Sequence, residues 1–334
     1  MAFTLTIAVP TFNMDWCLEK NLNTYDDYRL SGRLEVLCLN NASEDRSKEI
    51  IESFAERRPE IFKLIDRDSR GYGSSVNAAI RTAQGRYFRI VDADDWVDTE
   101  SLVRLVELLE TNESDIVLTD YQLVNMQTGE HTPVRAGDMG VEYGRISSSM
   151  EYPMKTEPSI HCLTYRTDLL RESGFYMQDN IFFVDEEYIV LPFLYAKNIQ
   201  YLDLDVYRYL VGNPNQSTSN EKRAKLQYHK EQVIRRLIGE YQRVSRENPE
   251  NQTLPYLKLR TGKLIGDHFT TLLIYVQDRT EGRRLAKEWE SYVRREVPEL
   301  WKRVKRKAMI LYSLNALHVS LPAYLRLKKL LLKK

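Results

Sequence analysis

Tyr87-Phe88-Arg89-Ile90-Val91-Asp92-Ala93-Asp94-Asp95-Trp96 is the stretch on which the fold turns. Its first five residues have the aromatic and β-branched composition of a strand, and three carboxylates follow at once. In open α/β sheets ligands sit beyond the carboxyl ends of strands, so acids placed there face a binding crevice and not the core. Where strand geometry persists, Asp92 and Asp94 lie on one side and Asp95 turns off with the chain. Like charges so close together are costly unless a cation binds. Carboxylate oxygens that leave other positions to water and phosphate are the usual hold on Mg2+ or Mn2+. The competing reading is an Asp-rich turn capping a helix that starts near Thr99; it suits Asp98 and Asp95 better than Asp92 and Asp94.

Outward from that strand the first half of the chain alternates two periodicities. Apolar runs of strand length at residues 5–9, 34–39, 62–65, 87–91 and 116–118 are separated by segments with helical spacing. That alternation predicts an α/β fold with a mostly parallel sheet flanked by helices, followed by an α-helical C-terminal region. Leu18 and Leu22, then Ile50, Ile51 and Phe54, then Val76, Ala79, Ile80 and Ala83, then Leu102, Val106 and Leu109 each recur at helical spacing, giving one buried stripe per helix. Asp45 or Ser47 caps the second of these, Asp98 or Thr99 the fourth. From Tyr121 to Gly144 the pattern breaks into turns, as in hairpins or a flap. A helix is predicted over 185–196, two short strands over 201–204 and 206–209, and an emphatic turn at Gly212-Asn213-Pro214-Asn215. Beyond it helices are predicted over 222–242, 255–275 and 281–296, followed by a basic C-terminal stretch. The domain division is therefore 1–211 for an α/β unit and 212–334 for a helical one with a basic amphipathic tail.

The 334 residues carry 48 Lys+Arg and 48 Asp+Glu, a balance that argues against wholesale nucleic-acid binding. The balance is an average, since Leu300 to Lys334 holds ten basic residues and no acidic one. Ile310, Leu314, Leu317 and Leu321 fall on one helical face there, an apolar stripe with basic ends that suits an anionic membrane surface, or alternatively a core helix with solvated charges. Three cysteines without CxxC spacing fit a reducing, cytosolic address, and the N-terminus has no basic flank or small-residue cleavage site. The five histidines lack HxxxH or HExxH spacing and read as structural or surface residues, not ligands.

Other turns fall on the same edge of the predicted sheet. Val9-Pro10-Thr11-Phe12-Asn13 ends the first strand with a hydroxyl, an aromatic face and an amide, which suit a nucleobase. Leu39-Asn40-Asn41-Ala42-Ser43-Glu44-Asp45 ends the second strand and reads equally well as a helix cap. Ser69-Arg70-Gly71-Tyr72-Gly73-Ser74-Ser75-Val76-Asn77 sets two glycines before a helix, as a phosphate contact would need. It completes neither GxGxxG nor a Walker loop, which disfavours a dinucleotide site.

In order and spacing, Pro10-Thr11-Phe12-Asn13, Asn40-Asn41-Ala42-Ser43-Glu44-Asp45, Gly71 to Asn77, Ala83-Gln84-Gly85-Arg86-Tyr87 and Asp92-Ala93-Asp94-Asp95 resemble the successive motifs of the family 2 glycosyltransferases, which have a GT-A fold. The likeness runs from residue 3 to about 120. It implies an inverting transferase that uses a nucleoside-diphosphate sugar, UDP-linked, with a glycan or lipid-linked acceptor in cell-surface polysaccharide synthesis. By the resemblance, Pro10, Thr11, Phe12, Asn13, Asn41, Gly71, Asn77, Asp92, Ala93 and Asp94 would line the donor site. Thr11, Phe12 and Asn41 would border the base, and Asp94 and Asp95 would hold Mn2+ or Mg2+. Two departures stand out: the family commonly has Asp where Asn41 stands and often Arg where Val76 stands.

The family's general base is a carboxylate after the sheet and ahead of a helix, a place filled by Val184-Asp185-Glu186-Glu187. Adjacent helical residues point about 100° apart, so one acid faces the site squarely; Asp185 is the first choice and Glu186 the second. Tyr207-Arg208-Tyr209 and Asn215-Gln216-Ser217-Thr218-Ser219 resemble the family's later segment over the diphosphate. The rival readings are a nucleotidyltransferase, which would want a Gly-rich basic loop after the first strand, and a catalytically silent nucleotide- or glycan-binding scaffold.

Overall fold

The computed structural model describes residues 3–213 and 220–332. Contacts divide the chain into two compact units, Met1–Asn213 and Pro214–Lys334.

The first unit opens with βα repeats: β1 (Leu5–Thr11), α1 (Asp15–Asn23), β2 (Leu34–Asn41), α2 (Ser47–Arg57), β3 (Phe62–Arg67), α3 (Tyr72–Thr82) and β4 (Tyr87–Ile90). Strands β1 and β2 are buried along their whole length, as expected of parallel strands covered on both faces. The chain continues through β5 (Trp96–Val97), α4 (Thr99–Leu109), β6 (Ile116–Asn125), β7 (His131–Val134), β8 (Ile146–Ser147), α5 (Glu151–Thr156), β9 (Leu163–Arg166), α6 (Thr167–Glu172), α7 (Asp185–Val190) and β10 (Ile199–Val211). The sheet order is β3-β2-β1-β4-β9-β6-β10-β5, with β7 on β6 and β8 on β10. Strands β3, β2, β1 and β4 are mutually parallel, as are β6 and β10. Strand β9 runs antiparallel between β4 and β6.

Strand order reverses beside β1. From β1 the chain steps outward to β2 and β3, then returns to place β4 on the other side. That switch point opens a crevice at the carboxyl ends of β1 and β4, where Thr11 and the 92–95 acids lie. The register sets Thr11, Asn40 and Asp66 side by side along the same edge.

The sheet is mostly parallel, as expected, with β9 inserted antiparallel. Several finer expectations are corrected. The helix expected over 185–196 is α-helical only to Val190, and Pro192–Tyr195 is a 3-10 turn; Leu191 keeps helical dihedrals, but Pro192 has no N–H with which to continue the ladder. The two expected short strands are one strand, β10, whose register against β6 slips between Leu202 and Tyr207. At α4, Asp98 is the cap and its carboxylate accepts from the Ser101 N–H at 2.9 Å. At α2, Asp45 Oδ1 accepts from the N–H of Ser47, the first helical residue, at 3.0 Å; Asp45 and Ser47 also reach across to the β1–α1 turn, accepting from the Asp15 and Met14 N–H groups at 3.0 and 2.8 Å.

The second unit is helical: α8 (Asn220–Lys225), α9 (Gln227–Glu247), α10 (Leu254–Thr270), α11 (Arg279–Glu296), α12 (Pro298–Ala316) and α13 (Leu321–Leu332). Helix α10 runs on into a π turn at Thr271–Tyr275. The apolar stripe expected from Ile310 to Leu321 is not one helical face. Helix α12 stops at Ala316, His318 is left-handed (φ 52°) and α13 starts afresh. Among the described residues no helix is long and apolar enough to cross a membrane.

Candidate active site

The acids after β4 sit in a tight turn, with the Asp95 N–H on the Asp92 carbonyl at 3.0 Å. Helix α1 holds this turn from behind: Asn21 Nδ2 donates to the Asp92 and Asp95 carbonyls at 3.1 and 2.8 Å, and Cys17 Sγ to the Ala93 carbonyl at 3.4 Å. Asp95 is the most enclosed of the three. Its carboxylate accepts from Tyr207 Oη at 2.6 Å and from the Leu210 N–H at 2.7 Å. Asp92 accepts from Tyr72 Oη at 2.7 Å, and its own N–H donates to Tyr207 Oη at 3.2 Å. Helix α3 and strand β10 thus converge on the turn.

These carboxylates are in an unfavourable setting for ionisation. Burial, with the Asp94 charge beside it, pushes Asp92 up to about 6. Burial also raises Asp94, and burial followed by the Asp94 and Asp92 charges holds Asp95 well above the usual range. Among the described residues no ion pair relieves them: Arg208 of β10 lies on Asp205 and Asp98. Such a cluster is what a divalent cation relieves.

Asp92, Asp95 and His161 each present one ligand atom, all within 4.8 Å of one another. His161 is thus the one histidine that the described residues bring beside two carboxylates, an arrangement that no sequence spacing announces. His161 stacks on Tyr209 with centroids 4.0 Å apart and lies 4.9 Å from Tyr207. Its carbonyl accepts from Arg89, which is wholly buried in the sheet and also donates to Thr119 and Thr164 at 3.2 and 3.0 Å. Burial and the Arg89 charge push His161 down to about 3, so the imidazole is neutral at pH 7 and competent as a ligand. No spacing motif marks it, because Cys162 and β9 bring it in from far along the chain. Asp95 lies close to Asp92 and His161, while Asp94 lies half-buried in the same turn.

The β1 and β2 turns are stitched together. The Asn13 N–H donates to Ser43 Oγ at 3.1 Å and Asn13 Oδ1 accepts from the Glu44 N–H at 2.8 Å. Asn13 and Ala42 are left-handed (φ 51° and 54°), backbone strain that tertiary contacts must hold. Pro10 and Thr11 are buried, and the Thr11 hydroxyl is turned back to the Val9 carbonyl at 3.1 Å. Phe12 is half-buried, with the Arg70 guanidinium 4.6 Å above its ring. Asn41 is buried and its Oδ1 accepts from Ser75 Oγ. Ala93 is buried within the acid turn.

Both ends of the Asn77 amide pair with Met177, Nδ2 to its carbonyl and Oδ1 from its N–H, each at 2.8 Å. A Cβ on Gly71 would run into Asp179, and one on Gly73 into the Gln178 carbonyl. Helix α3 and the turn before it thus clip the segment that leads to Asp185, and the two glycines permit that close approach. From the other side buried Glu187 accepts from the Gln178 N–H at 2.9 Å and from its side-chain amide. Of the three acids opening α7, Glu187 is accounted for by this bond, while Asp185 and Glu186 are half-buried. The charges of Asp92 and Asp185 both act on the Tyr72 phenol. Those of Asp95, Asp92, Asp94 and Asp185 all act on Tyr209, which burial chiefly pushes up to about 12. One field therefore joins the β4 acids to Asp185. Asn215–Ser219 lies outside the described residues.

Comparison with known proteins agrees with this arrangement. The family profile for glycosyl transferase family 2 matches residues 6–174, half of the chain. The glycosyltransferase EpsJ of Bacillus subtilis (strain 168) is 26% identical over 71% of this chain and 69% of its own length. The poly(ribitol-phosphate) beta-N-acetylglucosaminyltransferase TarS of Staphylococcus aureus is 22% identical over 64% of this chain, which spans only 37% of that longer protein. The crystal structure of S. aureus TarS 1-349 in complex with UDP superposes with a TM-score of 0.61 at 18% identity, over 97% of this chain and 92% of that one. Its UDP-GlcNAc complex gives 0.53 at 17% identity, with the same coverage of both chains. At these identities the structural likeness is one of fold. With the profile lying across β1 to α6 and the GT-A sheet in place, the chain belongs to glycosyl transferase family 2 and is a glycosyltransferase.

Proposed function

We propose that the chain moves a sugar, with inversion, from a UDP-linked donor to a hydroxyl of a glycan or lipid-linked acceptor in cell-surface polymer synthesis. The observation that carries this reading is the cluster of Asp92, Asp94 and Asp95 at the switch point, raised by burial and without a cationic partner among the described residues. The UDP and UDP-GlcNAc bound in the TarS structures support the donor class, and the TarS name supports a cell-wall polymer as acceptor.

The donor set fits a hard divalent cation: two carboxylates, a neutral imidazole and a third carboxylate alongside. Mn2+ or Mg2+ held by Asp92, Asp95 and His161, with Asp94 adjacent, would supply charge stabilisation for the departing diphosphate. The protein's own residues do the rest. Phe12 offers its ring face to the base under the Arg70 guanidinium, and the Asn13–Ser43 stitch fixes the turn around it. Asp185 takes the acceptor hydroxyl's proton on its carboxylate as that oxygen attacks the anomeric carbon and the C1–O bond to the diphosphate breaks. Glu187 and Asn77 hold the segment ahead of Asp185 so that this carboxylate is presented in one place. The three cysteines are all free, which supports a cytosolic address with the acceptor met at the inner membrane face.

The test is a thermal-shift screen of nucleotide sugars with and without Mn2+, followed by detection of released nucleoside diphosphate. A ligand that binds only the folded state must raise the melting temperature. The expected result is a shift with a UDP-sugar that needs the metal, and UDP release on adding acceptor. Binding of nucleotide sugar without any turnover would instead leave the silent scaffold. Gly73→Ala tests the loop clip: pushing the Gln178 carbonyl away is expected to lower transfer about 10²-fold, the usual cost of a misplacement near 1 Å. Gly239→Ala, in open space on α9, is the control expected to leave transfer unchanged.

A further inference from the structure

Helix α12 buries Leu300, Val304, Ala308, Leu311 and Asn315. At about 100° per residue these form one stripe, and the face turned away from it holds Lys302, Lys305, Arg306, Met309, Ile310 and, just past its end, Leu317. That outward face is divided by chemistry. Its first turns are cationic and solvent-exposed, with no ion pair for Lys302, Lys305 or Arg306 among the described residues, whereas Lys307 lies 2.6 Å from Asp267. Its last turns are apolar, with Met309 65%, Ile310 52% and Leu317 74% exposed. The chain then turns back at His318 into α13, where Leu327 is 45% exposed beside exposed Arg326 and Lys329. No acid follows Glu299 anywhere in the sequence.

We infer that this face of α12, together with the turn to α13, is a docking surface for an anionic lipid bilayer. Two halves of one face ask for two things at once, negative charge and an apolar phase, and the headgroup–acyl boundary of an acidic membrane offers both side by side. A polyanion such as RNA answers only the cations and leaves Met309, Ile310 and Leu317 in water. A second copy of the chain, paired through the same face, would bring Lys302, Lys305 and Arg306 against their own equivalents. The surface lies wholly in the helical unit and is independent of the catalytic assignments, so it stands or falls separately from the proposed reaction.

The experiment is co-sedimentation of the full chain with vesicles of phosphatidylcholine alone and of phosphatidylcholine with phosphatidylglycerol in equal parts. Binding is expected to the second and not to the first. At about five-fold in partitioning per charge, Lys302→Gln/Lys305→Gln/Arg306→Gln should weaken it about 100-fold. Met309→Ser/Ile310→Ser/Leu317→Ser should leave a weak association that high salt abolishes, while the wild type keeps a salt-resistant fraction. Unchanged circular dichroism and melting of both variants keep the comparison valid, since every substituted side chain is exposed. Three results would overturn the inference: equal binding to uncharged vesicles, no vesicle binding at all, or apolar variants that bind acidic vesicles and heparin just as the wild type does, which would mark a polyanion partner.

Discussion

Asp185→Asn should lower the rate of sugar transfer by about 10²–10⁴-fold, the range removed with a general base, while leaving metal-dependent binding of the donor within about two-fold. The substitution is isosteric and keeps the backbone of α7, whose first turn retains Glu186 and Glu187, so loss of one acid at a helix start costs under about 1 kcal/mol. Donor binding survives because the groups assigned to it lie after β1, β2 and β4, whereas Asp185 opens α7 beyond the clipped segment. Steady-state transfer, with the donor dissociation constant measured separately, is the check. Near-normal turnover would move the role to Glu186, the other half-buried acid of that turn, and Glu186→Gln would then carry the loss.

The second large effect is expected at Asp94→Asn, and it has two opposite signs. Asp94 charge raises both Asp92 and Asp95, so its removal relieves repulsion and should raise the melting temperature of the ligand-free protein. The same change removes one of the negative charges offered to a cation. Donor binding in Mn2+ should weaken about 10²-fold or more, and transfer should vanish with it. A calorimetric melt without ligand and a titration with UDP and Mn2+ read the two signs independently. Unimpaired metal-dependent binding would show that Asp92, Asp95 and His161 suffice without it.

What could be read from the residues, and what could not, divides along contact range. Strands β1 to β4 and the helices between them announce themselves because each βα unit carries its own period and packs on its neighbour in sequence. The acid turn was legible for the same reason: it follows a readable strand. Strand β9 was not, since four residues, Leu163–Arg166, acquire strand character only by lying between β4 and β6. His161 entered the site on that strand's approach and so shared its invisibility. In β10 the run Leu202-Asp203-Leu204-Asp205 suggested a break, and the structure absorbs it as a register slip within one continuous strand. The end of α7 was open to prediction, because Pro192 has no N–H with which to continue the ladder. The contacts of Asn77 and Gly71 with residues 177–179 were hidden for a different cause: a glycine-bearing turn before a helix looks alike in sequence whatever approaches it.

The antiparallel wedge of β9 gives the catalytic unit two halves with different freedom to change. On one side of it, parallel strands joined by helices carry the acid turn, which β10 bonds from the other side through Tyr207 and Leu210, so that an altered residue there disturbs many others. On the other, short hairpins such as β6–β7 hang from the sheet's rim and can lengthen or shrink with little consequence for that turn. Diversity among descendants of this sequence should therefore collect in the rim, letting the same activated sugar be delivered to new recipients.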